Sequence, residues 1–119
     1  MPAVNGLPVS VLVSCRGLKA HLPDRLGSAD RREAQPVSDT TAAWGDPPVT
    51  LRCGVPAGSG RDDPYTINAV QWAMHDTGAS RTWTTVGRRV NIALEIPDAY
   101  RGQAELVGSV AFVVAKQLR

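Results

Sequence analysis

The chain has 119 residues, 43% of them hydrophobic and 20% charged, which suits one domain over residues 1–119 that buries roughly two thirds of its unfolded surface, with little length left for a second core. Thirteen basic residues against eleven acidic give a formal charge of +2, too small and too evenly spread to argue for nucleic-acid binding. No run approaches the roughly 20 apolar residues that cross a bilayer; the longest candidate, Val110 to Ala115, follows Gly108 and Ser109 and ends at Lys116.

In chain order, Val11, Cys15, Leu18 and Leu22 recur at helical spacing until Pro23 stops the pattern, which predicts a first helix from Pro8 to Leu22. The competing reading is a strand, because Val9 to Ser14 is rich in β-branched residues. Asp24 to Asp30 read as a turn, and Arg31 to Trp44 as one or two short edge strands broken by Pro36, which cannot donate to a ladder. Gly45-Asp46-Pro47-Pro48 is turn chemistry. After it Val49, Leu51, Cys53 and Val55 alternate with Thr50, Arg52 and Gly54, the pattern of a half-buried strand with Cys53 facing inward.

Ala57 to Pro64, with two glycines and no large apolar side chain, reads as a mobile loop. Val70, Trp72 and Met74 then share one face of a strand over Thr66 to Met74, followed by a turn at His75 to Ser80 and a partner strand over Arg81 to Val86. Gly87-Arg88 supplies a tight turn. Beyond it Val90, Ile92, Leu94 and Ile96 alternate with Arg89, Asn91, Ala93 and Glu95, the clearest strand in the chain, and Pro97 ends it. Arg101 to Leu118 predicts a second helix with Val107, Val110, Ala111, Val114 and Leu118 on one face. Leu106, Phe112 and Val113 widen that face, so the helix is expected to be largely buried. This order predicts an α+β fold: an antiparallel sheet of about four to five strands with an N-terminal and a C-terminal helix packed on one face.

Cys15 on the helix stripe and Cys53 on the inward strand face point their thiols into the same core, so a disulfide is expected to pin helix to sheet. Closing that loop stabilises by about 4 kcal/mol in the chain-entropy view, and two cysteines with none left over suit an oxidising compartment. Two buried reduced thiols acting as small hydrophobes are the competing reading. A zinc site from Cys15, His21, Cys53 and His75 matches no finger or ribbon spacing, and His75 falls in an apparent turn. An inward-facing cysteine without a neighbouring base is no nucleophile, and the glycine–serine run near residue 58 is no nucleophile elbow. Asp62 and Asp63 read as solvated loop carboxylates rather than a cation site. No catalytic residue, metal ligand or cofactor is therefore expected. Trp44, Trp72 and Trp83 read as core or half-core rather than a binding platform. Arg52, Arg88 and Arg89 are expected on an outward surface with Glu95 among them: an anion or partner surface on one reading, a salt-bridged solvent face on the other.

Trp44-Gly45-Asp46-Pro47 followed by Leu51-Arg52-Cys53-Gly54, with Cys15, Leu18, Leu22 and Pro23 upstream, Trp72, and Thr84 to Pro97, resembles the small actinobacterial family known as domain of unknown function 3515. The likeness runs over most of the chain, and the pairing of the two tetrapeptides is its most specific piece. It implies a cell-envelope protein with an extracytoplasmic domain behind a membrane anchor or lipoprotein-type signal, and no assigned reaction. This sequence starts without such a segment, and the expectation is that it has been trimmed away. The combined reading is a non-enzymatic binding or assembly module whose partner is an acidic wall polymer, a lipid head group or an envelope protein, with Trp44, Gly45, Asp46 and Pro47 structural. The alternative is a small envelope hydrolase or carbohydrate-active enzyme with a scattered site, which a pocket carrying converging carboxylates would favour.

Overall fold

The computed structural model describes residues 8–27, 29–32, 40–58, 64–100 and 103–118. The first helix, α1, spans Val9–Ala20. The Pro8 carbonyl accepts from the Val11 and Leu12 amides at 3.0 and 3.1 Å, so a proline that cannot continue a helix backwards still opens one. Cys15, Leu18 and, just past the helix, Leu22 are buried, as the stripe predicts, whereas Val9 and Val13 are exposed. The second helix, α2, spans Gln103–Gln117 and buries Leu106, Val107, Val110, Ala111 and Val114.

Among the described residues eight strands lie between the helices: β1 (Arg25–Leu26), β2 (Ala29–Arg32), β3 (Thr41–Trp44), β4 (Val49–Val55), β5 (Tyr65–Ile67), β6 (Val70–Asp76), β7 (Ser80–Thr85) and β8 (Asn91–Pro97). They form one sheet in the order β1-β2-β3-β4-β8-β7-β6-β5, with every neighbouring pair antiparallel. The expected four to five strands are corrected to eight for two local reasons. The stretch from Asp24 to Asp30 is a hairpin around Gly27, which takes a φ of 62°, and its strands are too short to show alternation. The strand expected over Thr66 to Met74 is broken by Asn68 and Ala69, at φ 49° and 68°; that two-residue turn lacks the glycine that usually announces a primed hairpin. Nor is β3 an edge strand, since it pairs with both β2 and β4.

The alternation of β4 and β8 sets the layers. Cys53 stands opposite Ile92 and Leu51 opposite Leu94, and Leu94 in turn faces Trp83; this face carries the core. A bulge at Gly54, at φ 83°, separates the Cys53–Ile92 pair from Val55–Asn91, the positive-φ bulge that suits glycine. The sulfurs of Cys15 and Cys53 are bonded, with 5.7 Å between the Cα atoms, which sets α1 on the core face. The Trp83 indole, on the same face, lies 3.4 Å from the Gln103 side chain at the start of α2. Both helices thus cover one face, α1 against β4 and α2 against β5 and β6, and they touch each other. Phe112 departs from the expected burial of α2: it is 56% exposed, with the Lys116 ammonium 4.4 Å from its ring centre. One turn separates these two residues, so the pair lies along the outer side of the helix.

Candidate functional site

The unusual tetrapeptide Trp44 to Pro47 forms the end of β3 and the turn into β4. Trp44 is fully buried, its indole Nε1 donating to the Pro23 carbonyl at 3.0 Å. That bond satisfies the one polar group of a large core side chain. Gly45 takes a φ of 72°, and a Cβ there would fall 2.8 Å from that of Ala29 and against the Tyr100 hydroxyl. The Gly45 amide donates to the Asp30 carbonyl at 2.8 Å, the Asp46–Pro47 peptide is cis, and the Tyr100 hydroxyl donates to the Pro47 carbonyl at 2.6 Å. Glycine is thus required both for its backbone conformation and for space.

This turn is one wall of an open cleft of about 970 Å³. The β1–β2 hairpin forms the second wall, and Tyr100 with the first turn of α2 forms the third. Five charged side chains line it: Asp30, Arg31, Arg32, Asp46 and Glu105. Two of them are engaged. Asp30 pairs with Arg25 at 3.0 Å, and Arg32 Nη1 donates to the Gly45 carbonyl at 2.9 Å. The Arg31 guanidinium lies over the Trp44 ring, 5.5 Å from its centre, a cation–π contact. Among the described residues the Arg31 guanidinium has no hydrogen-bond acceptor, and the Asp46 and Glu105 carboxylates have no ion-pair partner.

The arginines singled out in the sequence do not gather here or anywhere else. Arg52 is exposed in mid-β4, opposite Thr41 and Ala93, on the sheet face away from the helices. Arg88 turns the other way. Its Nε and Nη2 donate to the Leu118 carbonyl at 3.1 and 2.9 Å, closing the end of α2, where carbonyls lack helical partners and a cation suits the dipole. Arg89 is exposed in the same turn, and Glu95 accepts from the Ser80 hydroxyl at 2.9 Å instead of pairing with an arginine.

The two cysteines are bonded to each other, and no group of three His, Cys, Asp or Glu among the described residues could hold a metal ion. His75 is in β6, not in a turn. Its neighbour Asp76 has its carboxyl held below the ordinary value by the Gly78 amide, 2.8 Å away, which marks a tight turn outside the cleft. Asp62 and Asp63 lie outside the described residues. The cleft itself was missed in the sequence because residues 30, 46, 100 and 105 share no spacing; only the oddity of the tetrapeptide pointed to the place.

No curated protein and no solved structure matches the chain. The sequence model of the family described as protein of unknown function (DUF3515) matches residues 5–119. The motif that builds the cleft wall and both cysteines of the disulfide are carried in that span, and the chain belongs to this family.

Proposed function

We propose that the domain is a non-catalytic binding module of the cell envelope, working outside the cytoplasm, and that it takes its ligand in the cleft beside the Trp44–Pro48 turn. One observation carries this reading: the most distinctive residues of the sequence form a wall of a cleft in which the Arg31 guanidinium lies over the Trp44 ring and, among the described residues, has no hydrogen-bond acceptor. Pockets of roughly 300–1,000 Å³ with a few oriented polar groups are the usual form of small-ligand sites. The disulfide favours an oxidising compartment, and the family likeness favours the envelope. The acidic partner expected at Arg52, Arg88 and Arg89 loses support at Arg88, whose guanidinium is committed to Leu118.

The second reading, a hydrolase, draws on the Asp46 and Glu105 carboxylates of the same cleft. Titrating the ¹⁵N-labelled domain with soluble envelope fragments separates the two. The binding reading expects shifts at the Gly45 and Tyr100 amides with an affinity that Arg31→Met weakens and Arg52→Ala spares. Shifts centred on Arg52 instead would overturn it, and fragment cleavage lost in Glu105→Gln would establish the hydrolase.

A further inference from the structure

We infer that the ligand of this cleft is a short peptide bearing a free carboxylate and a free ammonium group, the carboxylate taken by Arg31 and the ammonium facing Asp46 and Glu105. The inference rests on the binding reading above and specifies its ligand. Among the described residues the cleft carries two guanidinium groups, Arg31 and Arg32, the latter bonded to the neutral Gly45 carbonyl, and two carboxylates without an ion-pair partner, Asp46 and Glu105, while Asp30 is paired to Arg25. A polyanion would meet Arg31 and Arg32 but be repelled by Asp46 and Glu105, and a polycation would suffer the reverse. A neutral sugar would displace water from these charges without compensating any of them. Only a ligand with both signs, separated along its length, answers the whole set. The Arg31 guanidinium lies over the Trp44 ring, 5.5 Å from its centre, and pairing of such a group with a carboxylate is bidentate by preference. The cleft, at about 970 Å³, lies at the upper end of small-ligand pockets, which favours a peptide of a few residues over a single amino acid.

Trialanine with free ends, its N-acetylated form, its C-amidated form and the doubly blocked form test this in one series, read by amide shifts at Gly45 and Tyr100. Free trialanine is expected to bind, and blocking either end to weaken binding by about tenfold or more, the scale of one charge-assisted hydrogen bond. Arg31→Met should erase the discrimination against the amidated form alone, while Asp46→Asn with Glu105→Gln should erase that against the acetylated form alone. The assignment of each end to its own side chains makes these losses specific, so general unfolding would not imitate them. Equal binding of all four peptides, or binding of none while envelope fragments still shift the cleft, overturns the inference and leaves the binding module standing. If neither peptides nor fragments shift the cleft, both readings fail.

Discussion

Trp44 is held from three sides: core packing around the ring, the Pro23 carbonyl at its Nε1, and the Arg31 guanidinium above. Truncation would open a cavity and leave the Pro23 carbonyl without its donor. Trp44→Ala is therefore expected to destabilise by about 3–5 kcal/mol, the range for buried aromatics, measured as a lowered denaturant midpoint. Trp44→Phe should cost less, keeping most of the ring but losing the hydrogen bond. A wild-type midpoint for the alanine variant would mean that the ring is dispensable to the fold. The two residues that follow Trp44 differ in kind: Gly45 is fixed by backbone geometry, whereas the exposed Asp46 side chain has no hydrogen-bond partner among the described residues.

At the scale of elements, α1 depends on a covalent link more than α2 does. Its apolar stripe is narrow, with Val9 and Val13 exposed on its other side, whereas α2 buries a broad face against β5 and β6. The Cys15–Cys53 bond closes a separation of 38 residues, which corresponds to about 4 kcal/mol of chain entropy removed from the unfolded state. Cys15→Ala with Cys53→Ala should lower stability by that order, read from denaturant curves. The wild-type chain should show a matching fall only when reductant is present throughout unfolding, because both sulfurs belong to buried residues. A loss below about 1 kcal/mol would show that helix packing, not the bond, sets α1 in place. The other helix is finished by a side chain instead: Arg88 reaches from the β7–β8 turn to the carbonyl of Leu118.

At the scale of the molecule, the described strands form one sheet whose core runs from Leu26 at one edge to Val70 near the other. The central strand, β8, is buried on both faces from Asn91 to Leu94 and joins the halves containing β1–β4 and β5–β7. Trp44 reports on the first half, and Trp72 and Trp83 on the second. Indole fluorescence and far-ultraviolet circular dichroism should therefore lose signal in one coincident, two-state transition. Two separate transitions would show that the halves fold as independent units despite the shared strand. Placing both helices on one face also leaves the other to polar strand positions such as Thr50, Arg52, Thr82 and Glu95.

Sequence alone determined what neighbouring residues encode: the alternation of β4 and β8, the stripes of both helices, and the inward facing of Cys15 and Cys53 that makes their bond natural. These features repeat every two or three to four residues, so they are written locally. It did not determine the strand count, because β1, β2 and β5 are shorter than the pattern that would announce them. Nor did it determine the cleft or the partner of Arg88. Asp30, Asp46, Tyr100 and Glu105 are brought together only by the order in which strands pair and by where α2 begins, and Arg88 meets Leu118 only because α2 ends beside the β7–β8 turn. Such proximities arise from packing one sheet face against two helices, a property of the closed chain that no short stretch of it contains.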